Sequence, residues 1–334
     1  MKIAVIGAGS FGTALALALA ENADELAMWS HSNDIGESIS QNRLKSGYMP
    51  EVYLPEHITA STNLEAVMDG AKYIISVVPT QATRSVWEDA KKYLTPQMRI
   101  IVASKGIEQK THKLVSDIFI DTLGEDYQSK LFFLSGPSFA KELALKKPTA
   151  ITIAGFDRDG ISEIQNNLSN EYFRIYGTTD VTGVELGGAL KNVIAIATGI
   201  SDGLDMGSNS RAALITRGLA EIARLGKAMG SDPLTFMGLA GLGDLVLTCT
   251  GELSRNRTVG LKLAKGMKLN EILKSMRMVA EGVPTTESAY ELSKKMDIDM
   301  PITEAVYHIL YKNKTPAEGT KMLLMRELKF ETDQ

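Results

Sequence analysis

Short apolar runs rich in β-branched residues alternate with amphipathic stretches through the first half of the chain. We predict strands at the apolar runs, which are residues 2–6, 26–29, 72–79, 99–103, 130–134, 149–154 and 172–176. Helical spacing of the apolar positions lies between them, at 63–70, 83–94, 111–124 and 159–169. Strands that alternate with helices indicate right-handed crossovers and a parallel sheet covered on both faces.

The pattern changes near residue 180, beyond which helical spacing replaces the strands. Predicted helices occupy 183–203, 208–230, 254–265, 285–296 and 302–313. Met300-Pro301 should begin the last of these, with proline in the first turn. We therefore predict an α/β plus all-α chain. Residues 1–180 form a Rossmann-type domain with a parallel sheet, and residues 181–334 form an all-helical substrate domain.

Composition places the chain among ordinary globular proteins, with 44% hydrophobic and 23% charged residues. The net charge of −4 gives no general reason to bind nucleic acid or an anionic membrane. The single cysteine, Cys249, fits a reducing cytoplasm. We find neither a secretory leader nor an apolar run of about 18 residues. The expectation is therefore a cytoplasmic protein without a membrane span.

A glycine-rich turn directly follows the first predicted strand and precedes a run of helix formers. It reads Gly7-Ala8-Gly9-Ser10-Phe11-Gly12. In a dinucleotide-binding turn the first glycine permits the bend, the second admits the pyrophosphate and the third brings helix and strand together. The helix N-terminus then offers N–H groups to the anion. The alternative is a plain turn in another parallel-sheet fold.

Ligands bind beyond the carboxyl ends of the strands in open parallel sheets, so the residues that follow each strand are candidates. Lys105 follows the strand at 99–103, where its ammonium could hold a phosphate or polarise a carbonyl. A solvated loop lysine is the alternative. Gly136 and Ser138 lie in a turn after the strand at 130–134, and such a turn can offer N–H groups to an anion.

Lys191 interrupts an apolar helix in the second half of the chain, next to Asn192. Gly187-Gly188 just before it costs about 1 kcal/mol per glycine relative to alanine, which implies that another segment packs closely there. A lysine that faces a cleft can shift its pKa and donate a proton. The alternative is a lysine that extends to solvent along the helix.

Two further polar clusters follow. Asp244 lies in an apolar, glycine-rich turn, where it could cap the next helix or pair with a cleft lysine, and Thr248 four residues on could add a hydroxyl. The cluster Ser254-Arg255-Asn256-Arg257 opens a helix and suits a phosphate, with a solvated basic turn as the alternative. The histidines at 31, 57, 112 and 308 are scattered, so no metal site is expected.

Taken together, these motifs resemble the bacterial NAD(P)-dependent glycerol-3-phosphate dehydrogenases over nearly the whole length. The matching stretches are G-A-G-S-F-G-T-A-L-A at 7–16, S-K-G at 104–106, S-G-P-S-F-A-K-E at 135–142, G-V-E-L-G-G-A-L-K-N-V-I-A-I at 183–196, S-D-G at 201–203, A-L-I-T-R-G-L-A-E at 213–221, A-G-L-G-D-L-V-L-T-C-T at 240–250 and S-R-N-R at 254–257. Several long motifs in the family's order are far more specific than one glycine turn.

The resemblance implies a reversible hydride transfer between sn-glycerol 3-phosphate and dihydroxyacetone phosphate, which supplies glycerol 3-phosphate for glycerophospholipid synthesis. It makes Lys191 the general acid and base, with Lys105 and Asp244 in the catalytic cluster. The implied substrate residues are these three with Gly136, Ser138, Asn192, Thr248, Ser254, Arg255 and Asn256. The implied cofactor contacts are Gly7, Gly9, Ser10, Phe11, Gly12, His31, Lys105, Ala140, Arg255, Val279 and Glu281.

Cofactor choice depends on the end of the second strand. NAD enzymes often place an acid there to bind the ribose 2′-hydroxyl. Here the residues are Trp29-Ser30-His31-Ser32-Asn33, with Asp34 near. Without an acid at the strand end, Ser30, His31 and Ser32 could bond a 2′-phosphate. We therefore expect NADP(H) to be preferred, with NAD(H) as the second cofactor.

Two rival functions remain open. A β-hydroxyacid dehydrogenase would share the first strand and glycine turn, but it would not require both the basic cluster at 254–257 and the Lys191 stretch. A redox sensor would bind NAD(P)H without catalysis, and the presence of Lys105, Lys191 and Asp244 argues against it. For partners, we expect a small phosphorylated substrate and no nucleic acid. A homodimer is left open, since only the resemblance suggests it.

Overall fold

The computed structural model describes residues 1–32, 44–45, 49–276, 278–328 and 330–331, and it describes only the backbone of 44–45 and 49–51. By their contacts the residues divide into two units: Met1–Ser104 with Val115–Val181, and Lys105–Leu114 with Thr182–Gln334. A single division at residue 180 places Lys105–Leu114 in the first unit. The contacts of Lys105–Leu114 belong to the second unit, because Ile107 and Leu114 are buried in that unit's core.

Ten strands are found in the part of the chain that the structure describes. They are β1 (Lys2–Ile6), β2 (Glu25–Trp29), β3 (Leu44–Lys45), β4 (Met49–Tyr53), β5 (Ile58–Ser61), β6 (Tyr73–Ser76), β7 (Arg99–Val102), β8 (Leu131–Ser135), β9 (Thr149–Gly155) and β10 (Phe173–Thr178). All seven apolar runs that predict a strand contain one.

Eight of these strands form one sheet in the order β10-β9-β8-β7-β6-β1-β2-β5. Six neighbouring strands of this sheet, in the spatial order β5-β2-β1-β6-β7-β8, are parallel. This is the doubly wound order of dinucleotide-binding domains. β9 departs from the expected all-parallel sheet, because it runs antiparallel to β8 and parallel to β10. The sheet remains parallel-dominated, and its Rossmann-like architecture confirms the predicted fold class.

The central strands are buried on both faces, which explains why they are continuous apolar runs without alternation. Ile3 to Ile6 of β1 are fully buried, and every residue of β6 is buried. β5 is harder to predict because Ile58 is its one fully buried residue and the other three are polar or small. The short antiparallel pair β3–β4 likewise carries no clear apolar signal.

Six α-helices connect these strands within the described residues. They are α1 (Ser10–Leu19), α2 (Leu64–Met68), α3 (Thr83–Ala90), α4 (Val115–Leu123), α5 (Ala140–Ala144) and α6 (Arg158–Leu168). α4 begins later than the predicted 111–124. Lys110 and His112 have φ values of 66° and 58°, so the backbone at 110–112 is not helical.

Within its described residues, the second unit contains helices and connecting loops but no strand. Its helices are α7 (Val181–Gly203), α8 (Gly207–Ala228), α9 (Asp244–Thr250), α10 (Arg255–Ala264), α11 (Leu269–Lys274), α12 (Gly282–Lys295), α13 (Pro301–Tyr311) and α14 (Pro316–Leu324). Pro301 stands in the first turn of α13, as predicted. A π-helical turn, Leu239–Gly243, leads directly into α9.

α7 is the central helix of this unit. It alone among the described helices is long and apolar enough to cross a membrane by length and composition, and its most apolar stretch is entirely buried in the protein. Leu186, Val193 and Ile196 are fully buried. A helix that is apolar on all sides and enclosed by other helices is the expected core of a helical unit.

Candidate active site

The glycine turn between β1 and α1 has the geometry that a dinucleotide pyrophosphate needs. Gly7 has a φ of +116°, and a Cβ there would lie 2.6 Å from the carbonyl oxygen of Val77. A Cβ at Gly12 would lie 1.9 Å from the carbonyl oxygen of Gly7. A Cβ at Gly9 would meet no heavy atom of the described chain within 4 Å, so this position leaves room beside the backbone. Such a cradle fits a dinucleotide.

The remaining cofactor candidates of the first unit stay predictions. Ser10 is the first residue of α1 and Ala140 the first of α5, and Phe11 packs partly against the core. His31 is exposed just beyond β2. Ser30 is buried and its hydroxyl donates to the carbonyl oxygen of Ser32 at 3.0 Å, so it holds the turn together. Asn33 and Asp34 lie outside the described residues.

The turn after β8 is also tightly constrained. Gly136 has a φ of +143°, and a Cβ there would lie 2.9 Å from the Cα of Ile151 on β9. The Ser138 hydroxyl donates to the carbonyl oxygen of Gly136 at 2.9 Å. The structure therefore places both predicted residues in one turn, and their role as substrate residues stays a prediction.

Lys105, Lys191 and Asp244 meet in the second unit. Nζ of Lys105 lies 2.7 Å from Oδ2 of Asp244, and Nζ of Lys191 lies 2.5 Å from Oδ1. Each lysine therefore holds a different oxygen of one carboxylate. The Asp244 side chain is 1% exposed, and those of Lys105 and Lys191 are 15% and 10% exposed. Two lysines and one carboxylate are therefore held together in a largely buried site.

Thr248 completes this cluster from the next turn of α9. Its hydroxyl lies 3.0 Å from Nζ of Lys191 and 2.7 Å from the carbonyl oxygen of Asp244, to which it donates. The Lys191 ammonium therefore has two oxygen partners on α9.

The backbone brings the Lys191 and Asp244 side chains together through a close helix contact. A Cβ at Gly187 would lie 2.5 Å from the carbonyl oxygen of Ala240, so glycine lets α7 touch the π-helical turn before Asp244. This explains the glycine at position 187. Lys105 arrives on a segment that is tied to α12: the Ser288 hydroxyl donates to the Glu108 carbonyl at 3.2 Å, and the Gln109 amide donates to Glu287 at 2.6 Å.

Burial and charge shift the titration of the cluster. Burial lowers the pKa of Lys191 to about 8, and the charge of Lys105 adds to this effect while Asp244 opposes it. Burial alone would raise the pKa of Asp244, but the two lysines outweigh it and hold that pKa below its usual range. The structure thus favours a paired, buried Lys191 over a lysine that reaches solvent. Asp244 does not cap α9, whose N-cap is Gly243.

A second polar network joins α7, α10 and the start of α12. Nδ2 of Asn256 donates to Oδ1 of Asn192 at 2.8 Å, and Oδ1 of Asn256 accepts from the Gly282 backbone N–H at 3.0 Å. These opposite partners fix which way the Asn256 amide faces. A Cβ at Gly282 would lie 2.7 Å from the Asn192 carbonyl oxygen, a constraint that the sequence alone does not reveal.

The basic cluster at the start of α10 divides by role. Ser254 is the N-cap, and its hydroxyl accepts from the Arg257 backbone N–H at 3.2 Å, as the sequence predicts. Arg255 is exposed. The Arg257 guanidinium instead binds the carboxylate of Asp202. Val279 is half exposed in the segment before α12, and its cofactor role and that of Glu281 stay predictions.

Among the described residues, no three histidine, cysteine, aspartate or glutamate side chains gather where they could hold a metal ion.

The doubly wound sheet and the glycine cradle are typical of dinucleotide-dependent oxidoreductases. Family models described as the N-terminus and C-terminus of NAD-dependent glycerol-3-phosphate dehydrogenase match residues 2–160 and 180–321. The chain belongs to this family.

Relatives of known name support the same assignment along the whole chain. It is 50% identical to glycerol-3-phosphate dehydrogenase [NAD(P)+] of Leptospira biflexa, over 99% of each chain. It is 51% identical to the protein of the same name from Citrifermentans bemidjiense, over 99% of this chain and 98% of that one. The crystal structure of glycerol-3-phosphate dehydrogenase from Coxiella burnetii has a TM-score of 0.92 at 39% identity, covering 97% of this chain and 99% of that one.

Proposed function

We propose that this chain interconverts sn-glycerol 3-phosphate and dihydroxyacetone phosphate by hydride transfer with NADP(H) or NAD(H). The observation that carries the proposal is the buried cluster in which Lys105 and Lys191 share the carboxylate of Asp244. Reduction of a ketone requires a hydride at carbon and a proton at the nascent alkoxide. A bound nicotinamide supplies or accepts the hydride, and the cluster donates or accepts the proton.

Lys191 is the proposed general acid in the reduction direction. Its ammonium donates a proton to the alkoxide oxygen, and the neutral amine takes that proton back from the alcohol in the reverse reaction. Burial lowers the pKa of Lys191 to about 8, so both protonation states are accessible near neutral pH. Asp244 holds the lysine in place, and Lys105 adds a positive charge that stabilises developing negative charge on the oxygen.

The phosphate of the substrate is the proposed ligand of the first turn of α10. Arg255 offers an exposed planar fork, and Asn256 has an amide whose orientation is fixed by Asn192 and Gly282. Ser254, Gly136 and Ser138 are proposed to complete the substrate residues. A phosphate held away from the reacting carbon orients the carbonyl toward the hydride and the proton donor.

The cofactor is proposed to lie on the glycine cradle of Gly7, Gly9 and Gly12. Ser10, Phe11, His31, Ala140, Val279 and Glu281 are the further proposed contacts, with Lys105 and Arg255 shared between cofactor and substrate. His31 is exposed beyond β2, where it suits a ribose 2′-phosphate. We therefore propose that NADP(H) is preferred over NAD(H).

The proposed cellular role is to supply glycerol 3-phosphate for glycerophospholipid synthesis. A cytoplasmic location and a homodimer are part of the same proposal. The one cysteine of the chain, Cys249, is buried and forms no disulfide, which is compatible with a reducing compartment.

Substrate competition tests the proposal. The purified chain should oxidise NADPH with dihydroxyacetone phosphate and should be far slower with unphosphorylated 2-keto acids. A preference for unphosphorylated keto acids would instead support a β-hydroxyacid dehydrogenase. Binding of NADPH without turnover of either substrate would support a redox sensor.

A further inference from the structure

Asp202, near the end of α7, is a buried carboxylate that no step of the proposed reaction uses. Its side chain is 6% exposed, and each of its oxygens binds a different arginine. Oδ2 accepts from Nε of Arg257 at 2.8 Å and lies 2.6 Å from a terminal nitrogen of the same guanidinium. Oδ1 accepts from Nε of Arg211 at 2.7 Å and lies 2.7 Å from a terminal nitrogen of that guanidinium. Such charge-assisted forks are strongly oriented.

The link to Arg257 ties the first turn of α10 to α7 at a second point. Asn256, one residue earlier, is bonded to Asn192. Two neighbouring residues of α10 therefore attach to positions 192 and 202 of α7, which are separated by roughly 15 Å along a helix. Two attachments at that spacing restrict rotation of α10 as well as its movement along α7.

Between these attachments the two helix backbones are in direct contact. A Cβ at Gly199 of α7 would lie 2.1 Å from the carbonyl oxygen of Arg257. A Cβ at Gly260 of α10 would lie 2.2 Å from the carbonyl oxygen of Ile196. Because the two backbones touch, α7 and α10 can move little relative to each other. The side-chain bonds of Asn256 and Arg257 therefore set the orientation of the first turn of α10.

We propose that Asp202 is a positioning residue for the substrate phosphate. It fixes Arg257, and through Arg257 it fixes the turn that presents Arg255 and Asn256. It also keeps the Arg257 guanidinium, whose side chain is 15% exposed, bound within the protein, so the phosphate is left to Arg255 and Asn256. This inference rests on the proposed function.

Three variants of the full chain separate positioning from general stability. Asp202→Asn and Arg257→Met remove the link to α10, whereas Arg211→Met removes the partner of the other carboxylate oxygen and leaves α10 attached. We expect the first two to raise the KM for dihydroxyacetone phosphate by about tenfold, which corresponds to about 1.4 kcal/mol. kcat should change by less than about twofold in all three.

Arg211→Met is the matched variant that separates a positioning role from an effect on general stability. Arg211→Met should leave the KM for dihydroxyacetone phosphate unchanged, even where its melting temperature falls as far as that of Arg257→Met. Inorganic phosphate, used as a competitive inhibitor, should lose affinity in Asp202→Asn in proportion to the KM. Turnover of unphosphorylated dihydroxyacetone, measured as kcat/KM, should not change. If Asp202→Asn does not fold, the comparison of Arg257→Met with Arg211→Met still gives the answer.

Two results would overturn the inference alone while the wild-type chain remains active. An equal rise of KM in Arg211→Met and Arg257→Met would mean that the arginines act only through stability. A lower KM in Asp202→Asn would mean that released Arg257 binds the phosphate itself. A wild-type chain without activity on dihydroxyacetone phosphate would overturn the proposed function, and this inference with it.

Discussion

Lys191 and Asp244 form a buried ion pair across 53 residues of the chain, with Nζ 2.5 Å from Oδ1. Burial of a charged pair costs solvation energy that the attraction between the charges only partly returns. Such a pair is weak evidence of a stabilising role and stronger evidence of a functional one, since perturbed pKa values cluster at active sites. Here the second lysine, Lys105, strengthens the functional interpretation.

Replacement of Lys191 by methionine should abolish most of the activity with little effect on cofactor binding. The apolar side chain keeps the volume but cannot donate a proton, so we expect kcat to fall by about 10²–10⁴-fold. The matched control is Lys227→Met, at an exposed position near the end of α8, which should retain wild-type kcat. A Lys191→Met variant with at least half of the wild-type kcat would refute the assignment of the proton donor.

The pH dependence should have opposite signs in the two directions. Burial lowers the pKa of Lys191 to about 8. Reduction needs the protonated lysine, so kcat should fall as the pH rises through about 8. Oxidation of glycerol 3-phosphate needs the neutral amine, so its kcat should rise over the same range. Initial rates measured in both directions check this, and parallel profiles would contradict a lysine general acid and base.

The glycine turn yields a matched pair of variants. Gly12→Ala places a Cβ 1.9 Å from the Gly7 carbonyl, so it should destabilise the fold by about 1–3 kcal/mol. Gly9→Ala meets no described atom within 4 Å, so its melting temperature should stay close to wild type, while its Kd for NADPH should rise at least about tenfold. Equal NADPH affinity in Gly9→Ala and wild type would exclude Gly9 from the cofactor site.

The sequence predicts most of the first unit because its signals are local. Continuous apolar runs such as residues 2–6 and 72–79 indicate buried parallel strands, and the glycine turn adds its own signature. The apolar run at 149–154 predicts the strand β9 but not its antiparallel pairing with β8, because strand direction is set by the connection and by tertiary contacts. The sequence does not predict β5, because the apolar signal of this strand is weak.

The candidate site is less predictable from sequence, since its contacts join distant positions. Lys191 and Asp244 stand out individually as charges in apolar surroundings, yet their mutual contact is a tertiary fact. Gly282 shows the same limit. Its need for glycine arises from the Asn192 carbonyl, 90 positions earlier in the chain, and no local pattern reports that contact.

Glu221 should make stability depend on pH. Its buried carboxylate accepts from the backbone N–H groups of Ile302 and Thr303 at the start of α13, and the positive charge of Arg224 also favours the ionised form. Burial outweighs these partners and raises its pKa to about 7 from its usual 4.5. The folded state therefore binds the proton more tightly, so its stability should be greatest below the usual pKa and should fall as the pH rises toward about 7.

The expected loss is about 3 kcal/mol across that range, at about 1.4 kcal/mol per pKa unit. Denaturant unfolding of the wild type and of Glu221→Gln, measured at several pH values, isolates this contribution because glutamine does not titrate. As the pH rises toward about 7, the free energy of unfolding of the wild type should fall relative to that of Glu221→Gln. A constant difference would show that Glu221 has an ordinary pKa.

The proposed reaction is tested most directly by a spectrophotometric assay of NADPH oxidation by the purified wild-type chain with dihydroxyacetone phosphate as substrate. We expect rapid, saturable oxidation that yields sn-glycerol 3-phosphate, with a higher kcat/KM for NADPH than for NADH. Binding of NADPH without any oxidation on addition of dihydroxyacetone phosphate would refute the proposed reaction.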